Sequence, residues 1–247
     1  MSVEIIWPVL LLAAFLGGAL NAVAGGGSFL TLPALLFAGV PPVVANATGT
    51  LALLPGYLAS CAGYGREIGE LRQQHSLTAM LLLSLAGASV GAALLLLTSD
   101  QLFRQLLPWL LLLATLLFLF SPWLTGVHGG VHGGGFLPGV FAVSVYGGYF
   151  NGGMGILLMA MFVLTSPLSL QQANAGKNLL SALLTLIAVL IYVSAGKVVW
   201  RYGLPMMFAG LAGGYLGAVW GRRLPPQWLR GIVVLTGVIM TAIFFIS

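Results

Sequence analysis

Apolar runs follow one another along the whole chain, over residues 4–24, 28–39, 43–64, 76–98, 105–124, 136–150, 155–165, 168–195, 203–221 and 229–246. A helix needs about 20 apolar residues to cross a bilayer, so most of these runs are spans and the 247 residues leave room for about eight. Nine Lys and Arg and four Asp and Glu cannot clothe a chain of this length for water, because soluble domains carry about 25% charged residues against 5% here. The solvent for most of the surface is therefore lipid.

Two shorter runs, 28–39 and 155–165, each follow a glycine break, at Gly25-Gly26-Gly27 and at Gly152-Gly153. As helices they cross about half a bilayer. Non-helical backbone at membrane depth survives only where protein buries it or it lines a cavity. Each half is therefore expected to hold a broken first helix whose break faces a cavity.

The halves resemble each other. Gly17, Gly18 and Asn21 match Gly147, Gly148 and Asn151, Ala45-Asn46-Ala47 matches Ala173-Asn174-Ala175, and Gly87 and Gly91 match Gly213 and Gly217. Gly65-Arg66 parallels Gly196-Lys197, and Leu102-Phe-Arg104 parallels Trp228-Leu-Arg230. The offset drifts only from 130 (Gly17 to Gly147) to 126 (Gly87 to Gly213). The expected architecture is all-α, a polytopic membrane bundle of two homologous four-span repeats, each with a Gly-broken first helix. Residues 1–124 form the first repeat, 125–135 a Gly/His linker and 136–247 the second. Internal repeats are a common transporter design, with the substrate near the midplane between them.

The basic residues are scattered and, Lys177 apart, lie near the ends of apolar runs, which excludes nucleic acid as a partner. Sidedness stays open. Loops with Arg66, Arg72, Lys197 and Arg201 tie with loops carrying Arg104, Arg222, Arg223 and Arg230. Four spans per half plus a partial crossing is favoured, while counting the short runs as crossings would invert the halves. Ala22-Val23-Ala24 resembles a signal-peptide cleavage site, but residues 1–4 hold no Lys or Arg and the repeat uses this segment, so it is retained as the first span. Cys61 is the single cysteine and forms no intrachain disulfide.

Three stretches carry chemistry. In Asn21-Ala-Val-Ala-Gly25-Gly26-Gly27-Ser28, Ser28 suits an N-cap, and the first N–H groups of the following helix point at the break. With the helix dipole they form an anion site that needs no charged side chain. A packing kink is the competing account. Asn151-Gly152-Gly153 repeats the pattern. In the third stretch and its match, Asn46, Thr48, Thr50, Asn174, Asn178 and Ser181 interrupt apolar runs and can donate to an oxyanion.

Lys177 stands about nine residues inside the run 168–195, and the acids Glu4, Glu67, Glu70 and Asp100 all lie near span ends. An intramembrane charge costs at least about 2.5 kcal/mol and marks a functional site by default. An unpaired lysine there calls for an anionic ligand. The competing account is a lysine that snorkels from a span placed differently.

Several classes are excluded. Carboxylate-coupled pumps place acids or histidines in their spans, whereas His75, His128 and His132 sit in loops. Two linker histidines without an acid or cysteine make no metal site, and Met154, Met159 and Met161 read as packing residues. No in-span histidine or acid completes a catalytic triad, so no enzyme and no cofactor are expected. The expected partners are a small anion and the lipid bilayer, with a homodimer allowed.

The chain also resembles the sulfite exporter (TauE/SafE) family. The residues that carry the likeness are the triple-glycine break followed by Pro33, the motif Gly39-Val-Pro-Pro-x-x-Ala45-x-Ala-Thr-Gly-Thr50, Ala175-Gly-Lys177, Ser194-Ala-Gly-Lys-Val-Val-Trp200, and Gly213-Gly-Tyr-Leu-Gly217 with Arg222-Arg223. The second half departs from the family pattern, with Asn151-Gly-Gly-Met-Gly155 where a triple glycine is common. The resemblance implies a bacterial inner-membrane permease, multi-pass, for sulfite, sulfonates or related organosulfur anions. The alternatives are a transporter of another solute, such as a metal ion or thiol compound, and a non-transporting membrane assembly protein.

Overall fold

A computed structural model describes residues 3–23, 25–62, 65–74, 76–126, 136–166, 168–220 and 226–246. Among these residues every regular element is a helix. The order is α1 (Val3–Val23), α2 (Ser28–Phe37), α3 (Pro42–Ala62), α4 (Gly65–Gln74), α5 (Leu77–Leu97), α6 (Asp100–Gly126), α7 (Phe136–Tyr149), α8 (Met154–Thr165), α9 (Leu170–Ser194), α10 (Trp200–Trp220) and α11 (Pro226–Ile246).

Ten of these coincide with the apolar runs. The helix α4 was not expected, because its residues are polar. It forms because one face can be buried: Leu71 is fully enclosed, and the Glu70 carboxylate accepts a hydrogen bond from Gln172 Nε2 (3.0 Å) across the start of α9. The helix α6 continues to Gly126, past the expected start of the linker at residue 125. The rest of that linker, with His128 and His132, lies outside the described residues, as does His75.

Local chemistry sets the ends. Ser76 accepts the Ala79 N–H at the start of α5, and Ser169 and Gln172 form a capping box at the start of α9. Asp100, in the first turn of α6, also accepts the Val43 N–H (2.9 Å) and so ties the start of α3 to α6.

The distribution of polarity is inverted relative to a protein in water. Leu12, Trp109, Phe208, Tyr215 and Leu235 are each more than half exposed, while Asn21, Asn46, Asn151, Lys177 and Asn178 are buried. An exterior of this kind is stable in hydrocarbon. Among the described residues three helical segments, Ile5–Ala22, Leu77–Leu97 and Gln171–Ser194, are long and apolar enough to cross a bilayer by themselves. Of the spans expected, α7 is short at 14 residues and α3 is diluted by Asn46, Thr48 and Thr50.

Packing runs mostly between the halves. The helix α1 lies on α10 and α7 on α5; α3 crosses α10 and α9 crosses α5; α2 returns on α3 and α8 on α9; α6 meets α8 and α11 meets α2. Helices in lipid gain little from burying apolar surface against each other and rely on close backbone approach. Glycine permits that approach at both α1–α10 and α5–α7. A Cβ on Gly18 or Gly213 would overlap the backbone of Gly210 or Phe15, and one on Gly91 or Gly148 that of Val145 or Ala88.

Gly213→Ala is therefore expected to lower stability by about 1–3 kcal/mol, the usual cost of overpacking. A Cβ on Gly231 of α11 meets nothing within 4 Å, so Gly231→Ala is the matched control. Thermal melts of the two variants in one detergent should separate them. Equal melting temperatures would mean that α1 and α10 are not in backbone contact.

Candidate functional site at the two helix breaks

Both first helices break where the glycines stand. At the first break Gly25 takes a left-handed conformation (φ +83°) and donates its N–H to the Leu20 carbonyl (3.1 Å), closing the end of α1. Asn21 reaches forward from the last turn of α1, and its Oδ1 accepts the Gly27 N–H at 2.7 Å. The first turn of α2 is already bonded: Phe29 donates to Gly26, and Leu30 and Thr31 both donate to Gly27.

Two expectations change here. The N-cap of α2 is Gly27 and not Ser28, which is buried inside the first turn. The N–H groups expected to point freely into the break are largely spent on Asn21 and on the glycine carbonyls. The physical reason is that a buried donor without a partner is costly, and the nearby asparagine supplies one.

The second break is built differently. Gly153 takes the left-handed position (φ +75°) and caps α8 by accepting the Ile156 and Leu157 N–H groups. The Gly152 carbonyl accepts the Tyr146 hydroxyl (2.7 Å), and the Phe150 ring lies where a Gly152 side chain would stand. Gly153 packs on Ala114 of α6.

The breaks touch each other. A Cβ on Gly25 would lie 2.8 Å from the Gly155 Cα, and one on Gly155 would lie 2.8 Å from the Gly25 Cα. A Cβ on Gly155 would also stand 3.6 Å from Cδ of Lys177, so the lysine stem passes beside the point of contact. At this point Gly25 of the first break meets Gly155 in the first turn of α8. A cleft of about 510 Å³ lies between α1, α2 and α11 and is lined by apolar side chains such as Leu12, Phe29, Phe37 and Phe244.

A polar chain joins the halves beside this contact. The Tyr57 hydroxyl of α3 donates to Asn151 Oδ1 (3.0 Å), and Asn151 Nδ2 donates to Thr185 Oγ1 of α9 (3.3 Å). The Asn21 amide lies against the same Tyr57 hydroxyl, although its Nδ2 closes no hydrogen bond of full geometry. Asn21 and Asn151, the matching asparagines of the two halves, thus meet at one tyrosine.

The remaining expected residues divide. Asn46 Nδ2 donates to the Tyr149 carbonyl at the end of α7 (3.1 Å), and Thr50 bonds back to the Asn46 carbonyl (2.7 Å). Thr48 does not join them: its Oγ1 accepts the Val199 N–H (3.1 Å), stapling α3 to the approach to α10. Two residues along a helix from Asn46 or Thr50 turns the side chain to the opposite face. Asn174 is half-buried near the start of α9, while Lys177 (3% exposed) and Asn178 (0%) are enclosed one turn further on. No carboxylate is ion-paired with Lys177 among the described residues. Neither end of the Asn178 amide, nor the Ser181 hydroxyl, has a hydrogen-bond partner.

Tyr57, Gly155 and Thr185 were missed in the sequence. A signal was present: Asn46, Thr50 and Tyr57, and Asn174, Asn178, Ser181 and Thr185, recur at spacings of three, four or seven residues, which is one face of a helix. The site thus offers one buried ammonium and several uncommitted donors at the junction of two half-helices.

The comparisons with known proteins agree with a membrane protein. The sequence profile described as "Sulfite exporter TauE/SafE" matches residues 10–244. The chain is 31% identical over 248 residues to the "Probable membrane transporter protein YfcA" of Escherichia coli (strain K12), covering 95% of this chain and 87% of the relative. It is 27% identical over 237 residues to a "Probable membrane transporter protein" of Haemophilus influenzae (95% and 92% covered) and 29% identical over 237 residues to the "Probable membrane transporter protein ORF9" of Sinorhizobium sp (93% and 88% covered). No solved structure matches the chain. An apolar exterior, broken helices inside and a profile match over nearly the whole length lead to one conclusion: this is a multi-pass membrane protein that belongs to the sulfite exporter TauE/SafE family.

Proposed function

We propose that the chain is a secondary carrier or uniporter that moves sulfite, a sulfonate or a related small organosulfur anion across the bacterial inner membrane. One observation carries this reading: Lys177 is buried at the contact of the two breaks and no carboxylate is paired with it among the described residues. A buried cation is costly unless it is paired, and an anionic cargo supplies the pair. The family's printed description supplies the sulfur chemistry.

In this reading the chain is two copies of one helical unit, with about eight spans and the cargo at their junction. The contacts that come in corresponding pairs, α1–α10 with α7–α5 and α3–α10 with α9–α5, support it. So does the meeting of Asn21 and Asn151 at Tyr57. The halves are not equivalent in charge. Asn46 matches Asn174, and three residues on, Gly49 stands where the second half has Lys177. The junction therefore holds a single positive charge from this pair of positions.

An anion leaving a negative interior is driven by the potential alone, by about 2.3 kcal/mol per charge per 100 mV. Full-length protein in vesicles loaded with sulfite or a small sulfonate is expected to release it faster when the interior is made negative, with no pH gradient present. Release that responds only to a proton gradient at zero potential would contradict an uncoupled carrier. Failure to move every anion tried would remove the anion reading itself.

A further inference from the structure

We propose that the cargo is a monoanion that also carries a hydrogen-bond donor of its own, as a hydroxyl-bearing sulfonate or a singly protonated sulfur oxyanion does. The inference rests on the reading of Lys177 as the charge partner of an anion, and adds what the rest of that anion must present.

The geometry is that of one helix face. Ser181 is four residues beyond Lys177 and three beyond Asn178, so its side chain neighbours each of them at about 5–6 Å between Cβ atoms. All three are enclosed, at 3%, 0% and 0% exposure for Lys177, Asn178 and Ser181. Both ends of the Asn178 amide and the Ser181 hydroxyl lack partners. More than about 90% of buried polar groups are paired, so three orphan atoms on one turn are an unmet demand for a ligand.

The demand has two signs. A primary amide offers two N–H donors and one carbonyl acceptor. Interchanging its oxygen and nitrogen changes nothing here, because neither end is bonded. An anion made only of acceptor oxygens would satisfy the amide N–H groups and the ammonium but would leave the Asn178 carbonyl without a donor. Neighbouring polar groups do not relieve it. Asn151 already accepts from Tyr57 and donates to Thr185, and the Thr50 hydroxyl is bonded within α3. The uncommitted donors of this region, the Ser181 hydroxyl and the Asn21 Nδ2, do not reach it in this structure, so the donor is assigned to the ligand.

Charge narrows the class further. One ammonium balances one negative charge. A dianion would leave an uncompensated charge at apolar depth, and the nearby carboxylates are engaged elsewhere, Glu70 by Gln172 in the first turn of α9 and Asp100 by the Val43 N–H.

The test uses full-length protein in lipid nanodiscs, titrated calorimetrically with 2-hydroxyethanesulfonate, ethanesulfonate and sulfate. The two sulfonates share charge and differ in the hydroxyl. The hydroxylated one is expected to bind about ten- to a hundredfold more tightly, since leaving a buried polar atom unsatisfied costs about that much. Asn178→Leu should erase this difference, with both sulfonates bound equally and more weakly than ethanesulfonate is by the parent, since the amide donors are lost along with the carbonyl, and Lys177→Met should abolish binding of both. Equal affinities in the unaltered protein overturn the donor requirement, and that comparison needs no variant to fold. Sulfate binding as tightly as 2-hydroxyethanesulfonate overturns the monoanion requirement. In both cases loss of binding in Lys177→Met would keep the anion site itself intact. Absence of binding by all three ligands would instead sink the anion reading, and this inference with it.

Discussion

Lys177→Met is expected to abolish anion flux in reconstituted vesicles while leaving the protein at least as stable as before. The two halves of this result have separate causes. Methionine fills a similar volume, so the contact with Gly155 survives. What disappears is a buried charge with no carboxylate against it among the described residues, and insertion scales put its cost at about 2.5–3.5 kcal/mol near the bilayer centre. Relief of that cost should hold or raise the melting temperature in detergent. Flux, by contrast, loses the cation that compensates the cargo, and removing one member of a buried ion pair costs about 3–5 kcal/mol, a factor of about 150 to 5,000. Measured together, melting and flux distinguish a functional lysine from a structural one. Flux within about tenfold of the parent protein would show that Lys177 does not carry the charge.

Gly25→Ala should have the second largest effect, and it has a built-in control. Gly25 and Gly39 both occupy the left-handed region, at φ +83° and +81°, where a side chain costs about 1–2 kcal/mol. Around Gly39 a Cβ would meet nothing within 4 Å, whereas at Gly25 it would lie 2.8 Å from the Gly155 Cα. Backbone cannot step aside as a flexible side chain can. Gly39→Ala is therefore expected to lower the melting temperature modestly and leave flux alone. Gly25→Ala is expected to lose about a further 1–3 kcal/mol from overpacking and at least tenfold in flux, because the two breaks are forced apart beside Lys177. If the two variants melt and transport alike, the breaks do not touch, and the junction described here is not where the cargo sits.

Much of this was legible in the residue order. The scarcity of charge and the succession of apolar runs announced a lipid-facing bundle of helices. The glycine clusters marked the breaks at Gly25–Gly27 and Gly152–Gly153, and Lys177 stood out as the charge inside a span. Each of these is a local signal, since glycine breaks a helix wherever it clusters and a lysine among apolar residues is expensive in any fold.

Where local reading went astray, a longer-range competitor had won. Ser28 looked like a cap, but Asn21 already serves the Gly27 N–H from the preceding helix. The Thr48 hydroxyl accepts the Val199 N–H, more than a hundred residues away, a contact that no local pattern announces. The helix α4 passed unnoticed because its stability comes from Leu71 and Glu70 docking on α9, which no apolar run reveals.

The residue order by itself determined the solvent, the class of fold, the two breaks and the charge at Lys177 inside a span, because each follows from the free energy of placing a given side chain in hydrocarbon. Only the tertiary structure decided that Gly25 meets Gly155, that Asn21 and Asn151 share Tyr57, and that α1 lies on α10 while α7 lies on α5. Those pairings join residues about 100 or more apart in most cases, and they arise from which glycine-bearing faces can approach most closely in lipid, a competition among all the helices at once.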